Sequence, residues 1–213
     1  MNQIDVSSLL AHCGALLTDS HIVYTSGKHG SSYFNKDAIY PHTSAISDLC
    51  HLFAQYFFQD HIDVVIAPAL GGIVLSQWTA YHLSKLCDRD ILALYAEKIE
   101  GTKDFVIQRG YDKLLAKKNV LVLEDVLTTG GSVKKVIALV RSLGGYVVGL
   151  GVLCNRGGIT QEEMGHIPKL QALISLNLQA WAPEKCPLCR QDIPINTNVG
   201  KGREFLNRLI SQQ

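Results

Sequence analysis

The sequence has almost no net charge: 20 Lys and Arg face 19 Asp and Glu, a formal balance of +1. No basic field is available to gather a nucleic-acid backbone, and no polybasic run marks a membrane surface. Long apolar runs are also missing, so no segment reads as a bilayer span. The opening residues, MNQIDVSSLLAHCGALL, carry an acid early and no basic stretch, which argues against a secretory leader. There is no internal repeat and no low-complexity tract. The G-x-x-x-x-G-K-[ST] phosphate loop is absent, and Gly149-Leu-Gly151 lacks the rest of a dinucleotide fingerprint. Cys13, Cys50, Cys87 and Cys154 stand singly in apolar segments, where a reduced thiol packs as a small hydrophobe. A cytoplasmic location is expected.

What is present is a globular chain, with 47% hydrophobic and 18% charged residues. Its 213 residues suit a single domain, 1–213, with a full core. An amphipathic helix is expected over Ile4 to Leu17. Short β-branched runs then alternate with helical patterns. Asp63–Ala67, Ile91–Tyr95, Asn119–Leu123, Tyr146–Leu153 and Leu170–Leu176 read as strands, with helices over Gly72–Leu86 and Ser132–Leu143. Apolar strands covered by helices on both faces predict an α/β fold with a mostly parallel central sheet. Two segments depart from this rhythm. Residues 21–42 are extended and turn-rich, and the first 42 residues are expected to form a small hood beside the sheet. Residues 96–113, AEKIEGTKDFVIQRGYDK, form a polar connection long enough to be a mobile loop or lid. The tail beyond Trp181 is irregular up to Gly202, and a short helix closes it.

The most informative string is Val120-Leu-Val-Leu-Glu-Asp-Val-Leu-Thr-Thr-Gly-Gly-Ser132. An apolar strand ends in two adjacent carboxylates, Glu124 and Asp125. A tight loop follows and opens a helix. A helix N-terminus offers unpaired N–H groups and partial positive charge, which suits a phosphate. Gly130 and Gly131 let the backbone close around an anion, and the hydroxyls of Thr128, Thr129 and Ser132 add donors. Carboxylates beside such a cradle can accept hydrogen bonds from sugar hydroxyls. A phosphate cradle next to a diol acceptor describes a ribose-phosphate site.

This string resembles the motif by which type I phosphoribosyltransferases bind 5-phosphoribosyl-1-pyrophosphate (PRPP). The resemblance implies that Glu124 and Asp125 bind the ribose 2′- and 3′-hydroxyls. It also implies that Val126, Leu127, Thr128, Thr129, Gly130, Gly131 and Ser132 cradle the 5′-phosphate. Three further segments narrow the likeness to orotate phosphoribosyltransferases. Ser26-Gly-Lys-His-Gly-Ser-Ser-Tyr-Phe-Asn35 is similar to the family's N-terminal segment over the base. Phe34 is thereby expected against the orotate ring, with Lys28 or Lys36 as its cation, since Thr25 stands where the family often has lysine. Ala67-Pro-Ala-Leu-Gly-Gly72 takes the place of the family's pyrophosphate loop and puts Ala69, Leu70 and Gly71 on PRPP. Arg156, in Cys154-Asn-Arg-Gly-Gly158, matches an arginine that the family aims at the base.

The 96–113 insert matches the family's catalytic loop in place but not in residues. Lys98, Lys103 and Arg109 are its available cations, with Asp125 as the fourth expected catalytic residue. Mg²⁺ is implied as cofactor, held mainly by PRPP rather than by side chains. A homodimer is also implied, because the family's loop often reaches the partner's site. Two other functions stay open at this stage. One is a purine base in place of orotate. The other is a non-catalytic PRPP-binding regulator, for which too little chain precedes the hood to form a DNA-binding module.

Cys186-Pro-Leu-Cys189 stands apart from this chemistry. A structural zinc site needs about four ligands, and the sequence displays two, with no histidine at knuckle spacing. The pair is therefore expected to be packed or incidental.

Overall fold

The computed structural model describes residues 4–176 and 179–210. In chain order the elements begin with helix α1 (Val6–His12) and four two-residue strands: β1 (Leu16–Leu17), β2 (Ile22–Val23), β3 (His29–Gly30) and β4 (Tyr33–Phe34). Then come α2 (Thr43–Phe57), β5 (Val64–Pro68), α3 (Gly71–Cys87), β6 (Leu92–Lys98) and β7 (Phe105–Val106). The last elements are β8 (Asn119–Leu127), α4 (Gly131–Ser142), β9 (Tyr146–Asn155), β10 (Leu170–Ser175), α5 (Pro187–Arg190) and α6 (Gly202–Ile210). Among the described residues no helix is long and apolar enough to cross a membrane.

The chain divides into two compact units. The larger takes residues 40–176 with the first few residues, and the smaller takes 7–39 and 177–213. The smaller unit thus joins most of the expected hood segment to the irregular tail. In the larger unit six strands run in the order β10-β9-β8-β5-β6-β7. All pairs are parallel except β6 with β7. The central strands are apolar at successive positions because both faces are covered. Val64, Ile66, Val120 and Val122 pack with Val133, Val136, Ile137 and Val140 of α4. The alternate residues face the opposite layer, where Gly151 lies against Leu123 and Phe53, and Gly149 against Phe57. The sequence reading had no element over 43–57. The structure has α2 there, and its buried Ala45, Ile46, Leu49, Cys50, Phe53, Ala54 and Phe57 recur at helical spacing.

Two further expectations change. The first helix stops at His12, not Leu17. Gly14 takes φ +69°, Ala15 N–H donates to Leu10 O at 2.8 Å and Gly14 N–H to Ala11 O at 2.9 Å. This reversal ends a helix and frees Leu16–Leu17 to pair with β4. The 96–113 insert is largely folded. β6 runs on to Lys98, the chain turns at Ile99–Asp104, and Phe105–Val106 returns antiparallel.

Among the described residues the smaller unit holds little regular structure: two two-stranded ladders, β1–β4 and β2–β3, three short α-helices and two single 3-10 turns. Here Cys186 and Cys189 gain neighbours that their sequence spacing did not show. His21 and His29 join them, and the four potential ligand atoms lie within 4.8 Å of one another.

Candidate active site

β5 leads through α3 to β6 on one side, whereas β8 leads through α4 to β9 on the other. The two crossovers depart in opposite directions from adjacent strands. A crevice must therefore open beyond the carboxyl ends of β5 and β8, the place where open α/β sheets bind ligands. Ala67–Gly72 and Glu124–Ser132 are the segments that leave those two strand ends.

Asp125 is held on two sides. Its Oδ1 accepts from Val126 N–H at 2.7 Å, and its Oδ2 accepts from the Tyr40 hydroxyl at 3.2 Å. Glu124, 9% exposed, accepts from Asp125 N–H at 3.1 Å through Oε1. The start of α3 comes so close that a Cβ on Gly71 would collide with Tyr40 Oη and sit 2.9 Å from Asp125 Oδ2. Tyr40 was not among the expected site residues, and its sequence surroundings resemble a hairpin core. Only the fold shows that its hydroxyl positions a carboxylate.

The loop after Asp125 has the shape its glycines suggested. Gly130 adopts φ +73° and provides no side-chain cap to α4, so the helix's first-turn N–H groups lack a capping side chain. Thr128, Thr129, Gly131 and Ser132 around them are exposed. That combination is an open anion cradle.

Arg156 lies beside the cradle. Its backbone N–H and that of Gly157 both donate to Leu127 O, at 2.9 and 3.0 Å. A Cβ on Gly157 would run into Thr128 O, so only glycine permits this approach. Asn155 closes the turn, with Nδ2 donating to Ile159 O at 2.9 Å and Ile159 N–H donating to Oδ1 at 3.1 Å.

Ala69 and Leu70, joined by a cis peptide, line a cavity of about 400 Å³ with Ile73, Tyr95, Glu97, Lys98 and Arg109. The fold thus brings two of the three expected loop cations beside the expected pyrophosphate loop. Glu97 accepts from Arg109 Nε at 2.6 Å and raises the guanidinium pKa further. Lys103 lies elsewhere, at the exposed hairpin tip. Its carbonyl accepts from Lys135 of α4 at 2.8 Å, and Lys135 also pairs with Asp104 at 2.7 Å. The remaining expected residues belong to the smaller unit. Lys28 is exposed in the β2–β3 turn, Lys36 pairs with Asp37 at 3.6 Å, and Phe34 is 5% exposed.

The family profile described as a phosphoribosyl transferase domain matches residues 35–184. This chain belongs to that family. The orotate phosphoribosyltransferase of Chlorobium phaeobacteroides is 35% identical over 200 residues, spanning 92% of this chain and 95% of its own. The crystal structure of orotate phosphoribosyltransferase from Aeropyrum pernix superposes with a TM-score of 0.61 at 28% identity, covering 80% of this chain and 93% of that one. An adenine phosphoribosyltransferase from Thermoanaerobacter pseudethanolicus reaches 0.60 at 17% identity, over 78% of this chain and 99% of its own. Structures named for orotate and for adenine thus share this fold, which by itself does not choose a base.

Proposed function

We propose that this phosphoribosyltransferase joins the ribose phosphate of PRPP to orotate, giving orotidine 5′-monophosphate and pyrophosphate. One observation carries the reading. The carboxylate pair, the uncapped cradle and the Arg156 turn form a continuous backbone unit, hydrogen-bonded through Leu127 O. The 35% identity to an orotate enzyme over nearly all of the chain supports the choice of base.

The reaction breaks the C1–pyrophosphate bond and forms a C1–nitrogen bond, through a transition state resembling an oxocarbenium ion. The protein's part is positioning and electrostatics. Glu124 and Asp125 hold the ribose hydroxyls, and the Val126–Ser132 loop holds the 5′-phosphate. The Ala69–Gly71 segment with Lys98 and Arg109 receives the leaving pyrophosphate, and Lys103 joins them when the hairpin at residues 99–104 closes over the substrates. Arg156 presents a planar fork to orotate's carboxylate or ring carbonyls, which a lysine would match less well. Phe34, Lys28 and Lys36 are proposed as further base-binding residues.

Mg²⁺ fits this arrangement as an ion carried by the substrate. Glu124 and Asp125 already accept hydrogen bonds and do not by themselves make a cage of hard oxygen ligands. When bound, the ion would neutralise pyrophosphate charge, with those two carboxylates as its neighbouring negative groups. A homodimer and a cytoplasmic location belong to the same proposal. Exposed Tyr56, Tyr81 and Leu86 on α2 and α3 offer apolar surface for a second copy.

The deciding experiment supplies PRPP and Mg²⁺ with a panel of bases. Orotate alone should be consumed, with stoichiometric pyrophosphate. Turnover of hypoxanthine, guanine or adenine with orotate untouched would overturn the base assignment.

A further inference from the structure

The smaller unit contains chemistry that phosphoribosyl transfer does not use. Its histidines stand on the N-terminal segment and its cysteines on the tail, with the contacting pairs 160 to 168 positions apart. Backbone pairing holds the two segments in register. His29 and Trp181 exchange N–H···O bonds of 2.7 and 2.8 Å, and Asn196 N–H donates to His21 O at 2.8 Å. The tail then turns through Pro183–Lys185 and starts α5 just after Cys186, which places Cys189 one helical turn further on.

The resulting cluster is compact and buried. Cys186 and His29 are 0% exposed and His21 is 2% exposed. His21 Nε2 lies 3.6 Å from each sulfur, Cys189 Sγ lies 3.3 Å from His29 Nδ1, and the two ring nitrogens are 2.9 Å apart. Around a tetrahedral zinc with ordinary bond lengths, nitrogen and sulfur ligands stand about 3.5 Å apart and two nitrogens about 3.3 Å. The three N···S distances already meet that geometry, and the nitrogens need only part slightly. One of the two imidazoles is also fixed from outside the cluster. His21 Nδ1 is 2.6 Å from Ile193 O, and donating its N–H there leaves the Nε2 lone pair aimed at the cluster. The ring of His29 sits edge to face with Phe205, 4.9 Å away, which holds its plane.

We propose that His21, His29, Cys186 and Cys189 bind one zinc ion, as a closed structural site that staples the N-terminal segment to the tail. The donor set argues for zinc, since two thiolates with two imidazoles in a tetrahedron suit that ion. Four protein ligands leave no open position, so the role is structural rather than catalytic. The setting argues for a staple. Two-residue strands and short helices bury little surface, and units below about 70–80 residues commonly need a metal or a disulfide to fold firmly. Without metal, burial and the neighbouring Cys186 raise the Cys189 pKa, while burial and His21 lower that of His29. Zinc binding therefore releases protons from the thiols.

The full chain, purified without a metal-affinity tag, tests this by elemental analysis. One zinc per chain is expected. The double variant Cys186→Ser, Cys189→Ser should lose it and melt at lower temperature. To cover a variant that fails to fold, the native chain can be stripped with a strong chelator and titrated with Co²⁺. A one-to-one endpoint, with the intense visible bands of a tetrahedral thiolate site, would support the assignment. Either of two results would overturn it: a folded native chain with no stoichiometric zinc and no such Co²⁺ spectrum, or a folded double variant that keeps its zinc. A Cys186–Cys189 disulfide in the metal-free native chain would equally exclude it.

Discussion

Asp125→Asn tests the sugar site most directly, because its consequences can be worked atom by atom. The carboxylate accepts from Val126 N–H through Oδ1 and from the Tyr40 hydroxyl through Oδ2. An amide has one acceptor oxygen. If that oxygen keeps the stronger 2.7 Å bond to Val126, the NH₂ group replaces Oδ2 on the side that should receive a ribose hydroxyl. Tyr40 can turn its hydroxyl and accept from the amide, so the fold should survive. What disappears is an acceptor and a negative charge facing the sugar. A hydrogen bond to a charged group is worth about 1.5–3 kcal/mol, which corresponds to a loss of roughly ten- to a hundredfold. Steady-state kinetics with varied PRPP, alongside a thermal melt, reads the outcome. The melting temperature should stay close to that of the native enzyme while kcat/KM for PRPP falls by that factor. A folded variant with unchanged PRPP affinity and turnover would refute the assignment of Asp125, and with it the reading of the motif.

Four more outcomes are expected. Arg156→Ala should raise KM for orotate or cut turnover by roughly ten- to a hundredfold while PRPP binding changes little; equal losses on both substrates would point to a collapsed turn instead. Lys103→Ala should lower turnover more than PRPP affinity, because contacts to the leaving pyrophosphate strengthen as the C1 bond breaks. Lys135→Ala removes the α4 contact at the hairpin tip and should speed protease cutting within residues 98–110 by a few-fold, as suits an exposed pair worth about 0.2–1 kcal/mol; an unchanged digest would deny that Lys135 restrains the hairpin. Burial pushes the thiols of Cys50 and Cys154 up to about 12, so iodoacetamide at pH 8 should leave both intact in the native protein and modify the more exposed Cys87. Peptide mapping that finds Cys154 alkylated as fast as in denatured chain would contradict that packing.

The sheet was legible because buried parallel strands are written as unbroken β-branched runs, and Asn119–Leu123 and Tyr146–Leu153 needed no tertiary knowledge. The cradle was legible for a similar reason: strand, acids, glycines and helix are contiguous. Helix α2 was not predicted although Ala45, Ile46, Leu49, Cys50 and Phe53 carry its period, because it follows an irregular segment and its start has neither a capping side chain nor an acid in the first turn. Other features could not be read locally at all. Tyr40 reaches Asp125 across 85 positions, and His21 meets Cys186 across 165. Neither spacing has meaning until the chain has folded.

The Asn155 clamp on Ile159 bears on how a base is captured. Loops that order themselves around a ligand give up binding energy to lost backbone freedom, about 1–2 kcal/mol for each residue fixed. Here the Arg156–Gly158 bend is closed by Asn155 and hung from Leu127 O by two amides, so its backbone entropy is spent during folding rather than during capture. A base bound there as proposed would find this backbone already set, leaving the Arg156 side chain to be immobilised at a cost of about 0.5–1.5 kcal/mol.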